Sequence, residues 1–177
     1  MQKLTIAIII IVAFFGALLL LNNNQSSERS SSGTGQSSYT QVPDFSFEDF
    51  NGNTISLADF QGQPKIINSW AVWCPFCVEE LKAFAEAKQE LGDEIAIIAI
   101  DRAESLRLTK RFTDDLGVTD KLIFLLDPKD SFYRSIGGFS MPETLFVDGD
   151  NNILEHKRGP MTTSEIIEKS KTHFNLD

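Results

Sequence analysis

The chain has 177 residues, 42% of them hydrophobic, and a formal net charge of −9. Lys3 and Arg29 against Glu28 leave residues 1–41 at +1 and the remainder at −10, a charge that repels phosphate backbones and argues against nucleic acid as a partner. Residues 42–177 suffice for one compact domain with a core of its own and leave no room for a second catalytic domain.

Residues 1–3 read as a short cytoplasmic N-terminus and residues 4–21, LTIAIIIIVAFFGALLLL, as a transmembrane anchor. This run of 18 uncharged residues is nearly long enough to cross a hydrocarbon core of about 30 Å as a helix. It is longer than the apolar region of a cleaved signal peptide and ends in LLLLNNN rather than a small-residue cleavage site. Lys3 precedes the run while Glu28 and Arg29 cancel beyond it, so the positive-inside rule puts the catalytic domain outside the cytoplasmic membrane. Residues 22–41 are polar throughout and read as a flexible linker with a reach of roughly 25 Å.

Residues 42–177 alternate between strand and helix. DFSFEDF and NTISLADF flank Asn51-Gly52, a hairpin turn signal. KIINSW is a buried strand, and Pro75 to about Leu91 a helix carrying Leu81, Phe84, Lys88 and Leu91 on successive turns. EIAIIAID, Glu94 to Asp101, is a second buried strand. Ala103 to Leu116 suits an amphipathic helix and LIFLLD, residues 122–127, a short strand. ETLFVDGDNNILEHKR forms a hairpin turning at Gly149 to Asn152, and Thr162 to Phe174 closes the chain as a threonine-capped helix. The expected fold is α/β, a mixed central sheet flanked by helices with an N-terminal β-hairpin, following a single transmembrane helix.

The chemistry is concentrated in WCPFC. Cys74 falls where a strand bends into a helix, and Pro75 suits the first helical position. Unpaired backbone N–H groups and the helix dipole there favour thiolate over thiol, which makes Cys74 the candidate nucleophile. Cys77, one turn later and towards the interior, can resolve a mixed disulfide. A structural zinc site needs about four ligands, and His156 and His173, the two histidines, lie far along the chain and read as solvated surface residues. A structural disulfide across so small a loop constrains the unfolded chain little. A redox pair in a C-x-x-C, strand-to-helix context is the reading that remains.

Around this motif the chain resembles the thioredoxin superfamily, in its membrane-anchored TlpA/ResA-like branch of thiol:disulfide oxidoreductases, which includes reductases of cytochrome c maturation. The matching pieces are PDFSFEDFNGNTISLADFQGQPKIINSW, WCPFCVEE and GFSMPETLFVDGDNNILEHKRGPM, spanning roughly Pro43 to Phe174. The resemblance implies a thioredoxin-like fold and no cofactor or metal beyond the Cys74–Cys77 pair. It implies a cis Pro142 beside the disulfide, a substrate-binding surface of Trp73, Met141 and Pro142, protein disulfides such as those of apocytochrome c as substrates, and a membrane thiol donor of the DsbD or CcdA type.

Thioredoxin itself has a buried aspartate where this chain has Asn68. Glu80, three residues after Cys77 and four before Phe84, shares the inward face of the helix and is the candidate proton acceptor for Cys77, whereas Glu79 points to water. Trp70, Phe112, Phe124 and Phe146 read as core. Direction of transfer depends on the reduction potential, so a disulfide oxidase or isomerase is the alternative within the same chemistry. A copper-binding assembly factor is the alternative outside it, although chaperones of that kind use C-x-x-x-C. A peroxiredoxin falls away, because Ile67 and Ala71 stand where its motif needs proline and threonine.

Overall fold

The computed structural model describes residues 40–176. The expected anchor at 4–21 and almost all of the expected linker at 22–41 lie outside the described residues. Among the described residues no helix is long and apolar enough to cross a membrane.

Seven strands form one mixed sheet: β1 Ser46–Asp49, β2 Thr54–Ser56, β3 Lys65–Trp70, β4 Ala96–Arg102, β5 Ile123–Asp127, β6 Glu143–Val147 and β7 Ile153–Arg158, in the order β2-β1-β5-β4-β3-β6-β7. This is the expected α/β architecture, a mixed central sheet with an N-terminal β-hairpin. Strand β3 is parallel to β4, and β4 to β5. Both connections step the same way across the sheet, so right-handed crossovers place helices α1, Pro75–Leu91, and α2, Leu106–Leu116, on one face. The hairpin β1–β2 and the pair β6–β7 extend the sheet with antiparallel strands. Helix α4, Thr163–Phe174, is capped by Thr162, whose Oγ1 accepts the Glu165 amide.

Every residue of β3 is buried, and the two-residue period of a strand divides them. Ile66 and Trp70 join the cluster under α1 and α4 that also holds both cysteines, Leu81, Phe84, Phe124, Phe146 and Ile166. Ile67 joins a second cluster on the opposite face with Ile98, Leu125 and Leu145, covered by Phe45, Leu57 and Phe132. Asn68 follows the parity of Ile66 and Trp70, so the sheet turns its amide towards α1.

Three expectations are corrected. The helix assigned from Ala103 starts at Leu106, because Ala103 adopts φ 59°, outside helical space, and Ser105 supplies the N-cap. The second hairpin arm, read as NTISLADF, is a strand only to Ser56 and continues as a 3-10 turn, Leu57–Phe60, and a short helix α3, Ser131–Ser135, interrupts a segment read as a connection. His156 is not a solvated residue: its side chain is 3% exposed and bonds Glu143, while His173 is 22% exposed and bonds Glu155.

Candidate active site

Strand β3 delivers the chain to the N-terminus of α1 through the bend Ala71–Trp73, closed by the Cys74 amide donating to the Ala71 carbonyl at 3.1 Å. Cys74 is the N-cap, with extended backbone, and its Sγ accepts the Cys77 amide at 3.1 Å. Pro75 takes the first helical position. The two sulfurs form a disulfide with the Cα atoms 5.3 Å apart. Cys74 is 4% exposed and Cys77 fully buried, so a partner reaches the former before the latter. On reduction the Cys74 sulfur keeps an N–H donor and the positive end of the helix dipole, both of which stabilise a thiolate.

Glu80 sits on the inward face of α1, 1% exposed. Its Oε2 accepts from Asn68 Nδ2 at 2.8 Å and its Oε1 from the Met161 amide at 3.0 Å. Asn68 Nδ2 also donates to Thr144 Oγ1 at 3.0 Å, a contact set by the pairing of Asn68 with Thr144 across β3 and β6. Burial dominates these donors and pushes the Glu80 carboxyl up to about 8. The Asn68 amide suits either protonation state: its N–H donates to the carboxylate, and the same amide turned over accepts from the protonated acid. Glu79, by contrast, is exposed and pairs with Lys82 at 3.2 Å.

The second wall of the site comes from the loop before β6. The Met141–Pro142 peptide bond is cis, as the resemblance implies. Met141 packs against the cluster that contains both cysteines, and the Pro142 carbonyl accepts the Gly159 amide at 2.9 Å. Glu143 holds the loop from beneath. Its Oε1 accepts the Phe139 and Ser140 amides at 2.8 Å each, and its Oε2 meets His156 Nε2 at 2.7 Å. Burial pushes the Glu143 carboxyl up, but these donors outweigh it and hold the acid below its usual range. Tyr133 Oη donates to the Ser140 carbonyl at 2.9 Å, and a Cβ at Gly138 would lie 2.5 Å from the Tyr133 ring, so the loop lies flat on that ring.

Around this frame Trp73, Phe76 and Phe139 are 61%, 63% and 79% exposed. The structure thus brings Cys74, Cys77, Met141 and Glu80 to one core cluster and its border and leaves Trp73 at the surface. Sequence reasoning missed Asn68, Thr144 and Met161 as the partners of Glu80, and Glu143 with His156 as the support of the proline loop. Asn68 was visible as the residue standing in place of thioredoxin's aspartate, and Glu143 as the residue following Pro142. Among the described residues no group of three or more His, Cys, Asp or Glu is placed to hold a metal ion.

The redoxin family model matches residues 38–172. The chain is 28% identical over 129 residues to the thioredoxin-like protein YneN of Bacillus subtilis, covering 73% of this chain and 76% of that one. It is 26% identical over 128 residues to the thiol-disulfide oxidoreductase ResA of the same organism, covering 72% and 70%. The crystal structure of StoA from Bacillus subtilis superimposes with a TM-score of 0.63 at 21% identity, over 73% of this chain and 98% of that one, which shows the shared fold.

Proposed function

The chain belongs to the redoxin family and is a thiol:disulfide oxidoreductase of the thioredoxin superfamily, and from that premise we propose that it reduces protein disulfides, such as those of apocytochrome c, from an anchored position outside the cytoplasmic membrane. The observation that carries the reading is the asymmetry of the pair: Cys74 caps α1 and accepts the Cys77 amide, while Cys77 is wholly buried beside the Glu80 helix face. The exposed rings of Trp73 and Phe76 beside the disulfide favour a protein partner over a small solute. Trp73 and the half-buried Met141, backed by the buried Pro142, form the surface on which the substrate lies.

In the reduced protein the Cys74 thiolate attacks one sulfur of the substrate disulfide. A Cys74–substrate bond forms, the substrate S–S bond breaks, and the leaving thiolate takes a proton from solvent. Cys77 then gives its proton to the Glu80 carboxylate and attacks the Cys74 sulfur, expelling the second substrate thiolate. Two electrons have passed to the substrate, and the Cys74–Cys77 disulfide remains. A membrane thiol carrier of the DsbD or CcdA type restores the dithiol from the cytoplasmic side. The apolar run at 4–21 supports the anchored location.

Replacing Cys77 by serine removes resolution and leaves attack intact, so Cys77→Ser should accumulate a mixed disulfide through Cys74 in alkylated lysates. An adduct that forms only with Cys74→Ser would reverse the two roles. The reduction potential gives the direction: a value near or below about −250 mV supports reduction, and one nearer −120 mV supports an oxidase.

A further inference from the structure

Strand β4 runs beside β3 with Asp101 in register opposite Trp70. Beyond Arg102 the chain turns sharply. Ala103 takes φ 59°, a left-handed conformation that a Cβ disfavours, and its amide donates to the Asp127 carbonyl at 3.0 Å. The turn sends Glu104 back towards the active-site bend. The Glu104 amide donates to Asp101 Oδ2 at 3.0 Å, and Glu104 Oε2 accepts the Val72 amide at 2.7 Å. Arg102, in the same turn, lies with its guanidinium 5.9 Å from the Trp73 ring centre and 3.4 Å from that of Tyr133, and it is fixed by a two-pronged contact with Asp130 at 2.8 Å. One turn therefore meets Trp70, Val72 and Trp73, successive points on the path to Cys74.

We propose that Glu104 is a positioning residue for disulfide exchange, its carboxylate holding the Val72 amide and so fixing the bend Ala71–Trp73 that presents the Cys74 sulfur. Strand pairing cannot serve Val72, since the β3–β4 ladder ends at Trp70. The bend is closed internally by the Cys74 amide on the Ala71 carbonyl and externally by Glu104 on Val72. Burial, and then the Glu104 carboxyl beside it, push Asp101 up to about 8, with Asp127 on β5 adding to the repulsion. What Glu104 offers the bend is the placement of its Oε2, 2.7 Å from the Val72 nitrogen. The inference rests on the reading of Cys74 as the attacking sulfur.

Two substitutions separate position from charge. Glu104→Gln keeps an acceptor oxygen at the same reach and loses the charge; Glu104→Asp keeps the charge and withdraws the acceptor by one methylene. With the purified, reduced full chain and oxidised glutathione at pH 7, Glu104→Asp should slow attack by about tenfold, the scale of a small misplacement of a reacting atom. Glu104→Gln should stay within about threefold of wild type. The reduction potential should move for Glu104→Asp and little for Glu104→Gln. Alkylation of reduced Cys74 by iodoacetamide should follow the same order, and it needs no disulfide substrate, so it decides the proposal even where wild-type exchange is absent and the reading of Cys74 itself has failed. A Glu104→Asp protein matching wild type, or a Glu104→Gln protein slowed as much as Glu104→Asp, would overturn the positioning role.

Discussion

Glu80 under helix α1 and Asp101 at the end of β4 are both about 1% exposed, and burial pushes each carboxyl up to about 8. Their surroundings differ. Glu80 meets two N–H donors, from Asn68 and Met161, and an attractive field from Lys157, with no acidic neighbour contributing. Asp101 lies among carboxyls, with Glu104 on its own turn and Asp127 on β5 both raising it. The proposed mechanism uses the carboxylate form of the first, which two N–H donors stabilise and which takes the Cys77 proton. A proton on the second is held by its acidic neighbours and keeps their charges apart. On the proposed mechanism, equal acidity would serve turnover at one place and architecture at the other.

The sharpest break of this comparison is Glu80→Gln. The amide keeps the shape and removes the titration, so disulfide exchange should fall by about tenfold or more above pH 8, and the pH–rate profile should lose an inflection near 8 that the wild type shows. Stability of the oxidised protein should move the other way. The folded carboxyl is raised from 4.5 to about 8, so between those values the folded state binds more protons than the unfolded state, and wild-type stability is lost as pH rises through that window. The variant escapes this loss. At pH 8.5 urea unfolding should find it more stable by roughly 2–4 kcal/mol, shrinking to nothing at pH 4. A wild-type rate profile with no change of stability slope would leave Glu80 as a buried acid without a part in exchange.

Asp101→Asn should act in the same direction on stability and less strongly. Asp101 is raised from 3.8 to about 8, so wild-type stability again falls as pH rises towards 8. The variant should flatten the urea midpoint between pH 5 and 9, worth about 1–2 kcal/mol at the upper end. The inflection assigned to Glu80 should remain in its rate profile. Loss of that inflection in Asp101→Asn would erase the distinction between the two acids.

The sequence makes one of these regions legible and hides the other, for a physical reason. The Cys74–Cys77 pair, the N1 proline and the inward parity of Glu80 are local: each follows from a helix of 3.6 residues per turn that begins at a recognisable strand end. Strand β3 and helix α1 accordingly run as the pattern indicates. The Asp101–Glu104 turn depends on a left-handed alanine, which carries no residue signal comparable to glycine or asparagine, and the apolar period of the following helix reads straight through it. The Glu143 support is hidden differently. His156 and Arg158 reach Glu143 through the register of β6 against β7, where Glu143 faces Arg158 and Leu145 faces His156. Register is a pairwise property of two strands, so an alternating strand read alone places its histidine in water.

The smallest expected effect tests whether helix position alone explains Glu80. Glu79 and Glu80 are consecutive, the fifth and sixth residues of α1 counted from Pro75, so a helix dipole whose influence fades within the first turn treats them alike. They differ in direction. The Glu79 side chain is 73% exposed and its partner Lys82 45%, a geometry in which ion pairs contribute little and salt screens what remains. Glu79→Gln should therefore leave the exchange rate within about twofold of wild type, keep the inflection near pH 8, and unfold at an unchanged urea concentration. If Glu79→Gln slowed exchange as much as Glu80→Gln, a carboxylate anywhere at this end of the helix would suffice. The contrast between a titrating floor beneath Cys77 and an inert surface charge beside it would then have no basis.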